Sequence, residues 1–418
     1  MNVRETALYI LEEVEQGAYI NLTLNAILNR NQFSRKDADF LTRLVYITVQ
    51  NQIYLDAYME SLLEDKKIKR LERLLLRMSL AQLVLFDRIP QYAVIDEAVE
   101  IIKKRRGKHA AGFMNALLHQ LTSLEKPNLD KLDWYKKMSI KYSHPEWMVR
   151  MFAKQYGNEV TEKILIENQK TPILYGRVNS LKTDIQTLLE KYDIISQGPL
   201  FDTTVVLKGA FDQNHPLYKD GLITIQDLGS QAVSLFLNPK KGCRVLDMCA
   251  APGSKTCHLA ALMDNIGEIY AYDLHDHKIP LIQQNAKRLG VDIIKAKAYD
   301  ACHLDDLEEL ESFDYVLLDG PCSGLGVLAR KPEIRYHDST TLDQLGNLQK
   351  SLLDSASKMV KKEGVLVYST CTLNKKENEK NVAWFLEKHP EFELIDEKTI
   401  FPFMYHSDGF YMARMVKR

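Results

Sequence analysis

The chain has no cysteine before position 243, although its 418 residues hold six: Cys243, Cys249, Cys257, Cys302, Cys322 and Cys371. A disulfide framework would hardly leave more than half of a chain empty. No two of the six are spaced Cys-x-x-Cys, so a structural zinc site is disfavoured as well. The thiols are read as free. No apolar run is long enough to span a bilayer. The N-terminal stretch carries Arg4, Glu5, Glu12, Glu13 and Glu15 where a secretory leader needs an uncharged core, so the reading is a cytoplasmic protein. An excess of charge of one sign is also lacking. The 55 basic and 56 acidic residues leave a formal net charge of −1, and any polyanion site must come from local clustering. With 45% hydrophobic and 27% charged residues the composition is ordinary globular, and the length predicts two or three domains.

Residues 1–125 read as nearly continuous helix. Val3, Ala7, Leu11 and Val14 keep helical spacing, as do Leu71, Leu74, Leu75 and Met78, with Gly17, Pro90 and Gly107 as punctuation. Two basic clusters stand out there: Lys66, Lys67, Lys69, Arg70, Arg73, Arg77, and Lys103, Lys104, Arg105, Arg106, Lys108. Solvated helix faces are the bland reading of either and an RNA-contacting patch the sharper one. A polar stretch beginning EKPNLDKLDW predicts a linker over 126–140. Residues 141–215 mix helix with short strands such as 175–178 and 204–207, a small α+β subdomain.

From 216 to 418 the rhythm is strand, turn, helix. CRVLDM (243–248), EIYAY (268–272), IIKAKA (293–298), DYVLLD (314–319) and VLVYST (365–370) are short apolar runs separated by helical stretches. YMARMV (411–416) is expected as an added edge strand. Such alternation predicts a parallel sheet covered on both faces, with ligands beyond the carboxyl ends of its strands. The unusual residues fall there. DMCAAPGSKT (247–256) follows the first strand, and its small residues let backbone amides approach a ligand. It is neither the G-x-G-x-x-G of dinucleotide folds nor a Walker A loop. Asp273 ends the second strand at a spacing that suits a ribose diol. Asp300 follows the third strand, and DGPCSG (319–324) the fourth, presenting Cys322. Cys371 leaves the fifth. His275 and His277 form an H-x-H read as surface loop. A buried free cysteine is usually packing, but two of them at adjacent strand ends of one sheet point to chemistry.

Together these motifs resemble the RNA cytosine-5 methyltransferases of the Nol1/Nop2/Sun family, over about residues 140–418. GFMNALLHQL (112–121) resembles the end of a NusB-type RNA-binding module. With KYSHPEWM (141–148) and RKPEIRY (330–336), the combination is similar to the bacterial Sun/Fmu branch that acts on the small ribosomal subunit. The resemblance implies an α/β Rossmann-like methyltransferase domain with a mostly parallel seven-stranded sheet, preceded by an all-α NusB-like domain and the small α+β subdomain. It implies S-adenosylmethionine as cofactor and 16S ribosomal RNA, naked or in an early small-subunit particle, as partner. No metal or membrane is implied, and a monomer is the default. Carried over by position, Cys249, Ala250, Ala251, Pro252, Gly253, Ser254 and Lys255 would hold the methionine part of the cofactor. Asp273 would take the ribose hydroxyls and Asp300 the adenine side. Asp319 would lie between cofactor and base. Ser254 departs from the glycine most relatives carry.

The chemistry makes sense of two cysteines. Carbon 5 of cytosine is a poor nucleophile until a thiolate adds to carbon 6, and the adduct must later be resolved. Which cysteine attacks is left open by the chemistry. A Pro-Cys pair like 321–322 supplies the nucleophile in DNA cytosine-5 methyltransferases, whereas the resemblance to the RNA family assigns attack to Cys371 and release to Cys322. Lys255 is expected to raise the thiolate fraction. Arg330, Lys331, Arg335 and Tyr336 are expected to line the approach of the base. An exocyclic-amine methyltransferase lacks its Pro-Pro-aromatic signature here. A non-catalytic assembly factor with a retained cofactor pocket is disfavoured by the paired cysteines.

Overall fold

The computed structural model describes residues 2–418 apart from Asp65, Ala210, Asp338 and Ser339. They fall into two compact units, Met1–Gln169 with Leu328–His337, and Lys170–Val327 with Asp338–Arg418.

In the first unit, helices Val3–Val14, Ile20–Arg30, Arg35–Gln50, Gln52–Leu63, Arg70–Leu85 and Gln91–Leu121 pack their apolar stripes into one core that includes Leu8, Leu41, Leu44, Leu75 and Ile102. Asn2 and Ser34 cap the first and third helices by accepting from Glu5 N and Asp37 N. Gly17 and Gly107 carry the positive φ values, 97° and 84°, that end one helix and break the longest one. The stretch read as a linker contains helix Trp134–Lys141. Asp133 caps it, and its Met138 packs against Val149 and Leu165. Two turns of helix with a narrow apolar face are too short for periodicity to show.

The second unit holds two sheets. Strands β1 (Tyr175–Val178), β2 (Ile195–Gln197), β3 (Thr204–Leu207) and β4 (Ile223–Ile225) form an antiparallel sheet in the order β2-β3-β1-β4. Strands β5 (Arg244–Asp247), β6 (Glu268–Asp273), β7 (Ile294–Ala298), β8 (Phe313–Asp319), β9 (Val360–Thr370), β10 (Phe392–Ile400) and β11 (Phe410–Lys417) form the large one, in the order β10-β11-β9-β8-β5-β6-β7. The run from β7 to β9 is parallel, and β11 is antiparallel to both its neighbours, β9 and β10. The central strands are apolar on both faces because helices cover both, as parallel sheets require. β11 is not the edge strand expected from the sequence. It lies between β9 and β10, and β10 is the edge. β10 alternates Glu393, Asp396, Glu397 and Lys398 along a mostly exposed strand, so it offers no apolar run to read, and its charges protect an open edge.

Candidate active site

The parallel strands end in one row, and every acidic or thiol group singled out from the sequence is on it. β5 ends at Asp247, whose side chain is buried. Its Oδ2 accepts from Thr256 Oγ1 at 2.7 Å, while Oδ1 has no partner among the described residues. Burial, with Asp319 nearby, pushes this carboxyl up to about 7, against hydrogen bonding from Thr256.

The loop that follows is pinned at Ala250, whose amide donates to Tyr272 O at 2.8 Å, and at Gly253, whose amide donates to Ala250 O at 2.7 Å. Gly253 has φ 96°, and a Cβ there would meet Ile282 Cα at 3.0 Å, so glycine is required. Ser254 is the first residue of helix Ser254–Leu262 and does not have positive φ; the departure from glycine is therefore accommodated. Cys249 sits in this loop with its thiol pushed well above the ordinary range by burial and by Asp247 and Asp319.

β6 ends at Asp273. One carboxylate oxygen accepts from Ala251 N and the other from His275 N, both at 3.3 Å, and Lys278 Nζ lies 3.2 Å away. Beyond β7, Asp300 is exposed and caps the short helix Ala301–Asp306 by accepting from Cys302 N at 2.9 Å. His275 and His277 are exposed and stacked, centroids 5.4 Å apart.

β8 ends at Asp319, which is held from two sides. Lys255 Nζ is 2.7 Å from Oδ2, and Ser369 Oγ on the next strand donates to Oδ1 at 2.8 Å. Burial alone would lower the Lys255 ammonium, but Asp319, with a further contribution from Cys371, outweighs it and the pKa is raised. Lys255 therefore stays charged beside Cys371.

Cys322 and Cys371 meet, Sγ to Sγ, at 3.3 Å. The two loops that carry them are bound backbone to backbone. Gly326 N donates to Cys371 O at 2.9 Å, and Gly409 N donates to Gly326 O at 2.7 Å. A Cβ on Gly326 would strike Gly409 O at 2.1 Å and Cys371 O at 2.8 Å. Nothing local in the chain signals Glu377, yet it is buried between these loops. A glutamate in the run KKENE reads as solvated charge; only the fold shows its partners.

Three of the four residues expected to line the approach of the base, Lys331, Arg335 and Tyr336, make contacts within the first unit. Arg335 is fully buried in the first unit and donates to Gln50 O (2.9 Å), Ser143 O (3.2 Å) and Asn168 O (2.7 Å). Tyr336 Oη donates to Val49 O at 2.9 Å, and Lys331 Nζ lies over the Tyr19 ring. Ser143 and His144 of the KYSHPEWM stretch belong to the same buried junction, His144 Nε2 lying 3.1 Å from Asn168 Nδ2. Both motifs are therefore internal ties of the first unit. The basic clusters are also partly spent. Arg77 is buried against Asp56 and Glu15. Arg70 pairs with Glu15, and Arg105 pairs with Glu12 through two bonds. Lys67, Lys69, Lys108 and His109 gather instead around one open groove of the first unit, together with Arg106, which pairs with Glu72 at 3.4 Å, and exposed Phe113.

Sheet order, the single reversed strand β11 and a loop of small residues after the first strand define the class: a Rossmann-like methyltransferase domain carrying accessory domains. Comparison with known proteins makes this specific. Residues 234–416 match the 16S rRNA methyltransferase RsmB/F family, residues 144–211 its ferredoxin-like domain, and residues 1–123 the NusB family. The chain is 38% identical over 446 residues to the probable ribosomal RNA small subunit methyltransferase B of Bacillus subtilis (strain 168), covering 100% of this chain and 99% of that one. Its counterpart in Synechocystis sp. is 32% identical over 449 residues, with 100% of both chains covered. The crystal structure of PH0851 matches with a TM-score of 0.85 at 26% identity, over 99% of this chain and 98% of that one. A methyltransferase homologue from Pyrococcus horikoshii matches with a TM-score of 0.62 at 27% identity, over 69% of this chain and 100% of that one. The chain belongs to the small-subunit ribosomal RNA methyltransferase B family.

Proposed function

We propose that this protein methylates carbon 5 of one cytosine in 16S ribosomal RNA, with S-adenosylmethionine as methyl donor and Cys371 as nucleophile, acting in the cytoplasm. The observation that carries the reading is the pair of thiols 3.3 Å apart at adjacent strand ends, next to the Lys255–Asp319 ion pair.

The residues present fit the cofactor. The Cys249–Lys255 turn offers close backbone to its methionine part, and Gly253 keeps that turn tight against Ile282. Asp273 and Asp300 are carboxylates suited to ribose hydroxyls and an adenine amine, and Asp319 faces the thiols' side of the row. The partnerless Oδ1 of buried Asp247 marks a polar position in the same row without a protein partner among the described residues. When bound, S-adenosylmethionine supplies the methyl group that activated carbon 5 takes.

The protein's own part is to present a thiolate and to manage protons. Cys371 Sγ adds to carbon 6 of the base and makes carbon 5 nucleophilic. Lys255, charged and half-buried, favours the thiolate form of Cys371 before attack. Asp319 holds that ammonium in place, and Ser369 holds Asp319. Once carbon 5 is methylated, its proton passes to water, the electron pair of that C–H bond restores the 5,6 double bond, and the Cys371–carbon 6 bond breaks, returning the thiolate. Cys322 assists this release. The basic groove of the first unit contacts RNA phosphates and contributes affinity but no base choice. The test is transfer of labelled methyl from S-adenosylmethionine to protein-free 16S RNA and to early small-subunit particles. Label in 5-methylcytosine is the expected result. Absence of label from both substrates would overturn the reading.

A further inference from the structure

Glu377 is the one carboxylate among the described residues that is buried between the two cysteine-bearing loops, with 1% of its surface exposed. Both oxygens are fully used as acceptors. Oε1 takes Ser323 Oγ at 2.6 Å and Asn374 Nδ2 at 3.0 Å. Oε2 takes Ser323 N at 2.9 Å and Gln349 Nε2 at 3.1 Å. Four donors suit an anion, and an anion with this donor set can be kept out of water. Gln349 also donates to Pro321 O at 2.8 Å, and Tyr368 Oη donates to Glu377 O at 2.6 Å. The carboxylate is therefore fixed against the turn that presents Cys322.

The thiol pair thus sits between opposite charges. Lys255 lies on the Cys371 side and Glu377 on the Cys322 side. We infer that Glu377 is a positioning residue that makes the two cysteines unequal: its negative charge keeps Cys322 as the neutral S–H partner and leaves the thiolate to Cys371. This rests on the proposed cytosine-5 reading, and it supplies a physical reason for the division of labour that the sequence left open. The groups facing Cys322 are Cys371, Glu377 and the Tyr368 phenol, with Asp319 and Lys255 beyond Cys371. The Cys322 thiol is pushed well above the ordinary cysteine range by its hydrogen bond with Cys371, by burial and by Glu377, in keeping with this order. With Cys322 as the neutral partner, its S–H donates toward Cys371 Sγ at 3.3 Å and stabilises the thiolate that departs from the base.

The test is alkylation of the full chain by iodoacetamide from pH 6 to 9, with the rate at each cysteine read by peptide mass spectrometry. No RNA or cofactor is needed, so its outcome is separate from whether the protein methylates cytosine. In Glu377→Gln the shape is kept, the charge is removed and one of the two acceptor oxygens becomes a donor. Cys322 should alkylate roughly tenfold faster at pH 7.5, the change expected from about one pKa unit. Ser323→Ala, which removes a tie but not the charge, should destabilise the fold and leave the Cys322 profile as in wild type. A merely structural Glu377 would give the same Cys322 profile in Glu377→Gln as in wild type, and that result overturns the inference. Should Glu377→Gln not fold, Cys371→Ser decides. With its thiol partner gone, Cys322 must still resist alkylation near neutral pH, and ordinary free-cysteine reactivity there contradicts the role of Glu377.

Discussion

Lys255 and Asp319 are joined at 2.7 Å between the loop after β5 and the end of β8, and the ammonium of this pair faces the Cys371 side of the thiol pair. The ion pair thus links the proposed cofactor loop to the proposed nucleophile. Removing the cation should slow the sulfur, not only weaken the loop. Lys255→Met should lower the rate of Cys371 alkylation at pH 7.5 by about tenfold or more. An unchanged rate in a folded variant would separate Lys255 from the thiol.

Asp247 predicts a pH dependence of stability. Its pKa is raised to about 7 in the fold from an ordinary 3.8. A raised value means that the stability it supports is complete at low pH, where the carboxyl is protonated in both states. That stability is lost as pH rises through about 7, because charging then costs more in the fold. The loss is on the order of 4 kcal/mol. Asp247→Asn cannot charge, so its melting temperature relative to wild type should climb between pH 5 and pH 8. A constant difference over that range, read by calorimetry, would contradict the raised carboxyl.

Arg335 serves four carbonyl groups of the first unit, those of Gln50, Ser143, Asn168 and Leu328. Arg335→Met fills much of the volume but leaves those carbonyls without donors, at a cost of about 3 kcal/mol or more. Denaturant unfolding of the variant should show that loss. A loss below about 1 kcal/mol would mean that the junction is held by packing alone.

The groove around Lys67, Lys69, Arg106 and Lys108 should behave as a phosphate site. Lys67→Glu with Lys108→Glu should weaken RNA binding for all sequences alike and reduce the slope of log affinity against log salt by about one per lost phosphate contact. Phe113→Ala should weaken single-stranded RNA more than duplex, since a ring can stack only on an unpaired base. Binding unaffected by the charge reversals would remove the groove from the RNA path.

Much of the fold was legible because the central strands are buried on both faces and therefore written as apolar runs. The helices of the first unit were legible through spacing and through Gly17, Pro90 and Gly107. β10 was not, since an edge strand rich in Glu and Asp carries no apolar signature. The site was legible as residue types at strand ends: Asp273, Asp319, Cys322 and Cys371. What depends on distant partners was not. Arg335 looked like a base-facing cation, and nothing local shows that Gln50, Ser143 and Asn168 would bury it. Glu377 looked like one more surface glutamate until Ser323, Asn374 and Gln349 were brought around it.

The most direct test of the central claim is covalent capture. Wild type, Cys371→Ala and Cys322→Ala would be incubated with labelled S-adenosylmethionine and 16S RNA and run on a denaturing gel. Cys371→Ala should show neither label in RNA nor a slow protein–RNA band. Cys322→Ala should accumulate that band, because attack proceeds and release fails. A band from Cys371→Ala, with none from Cys322→Ala, would exchange the roles of the two thiols and contradict the account.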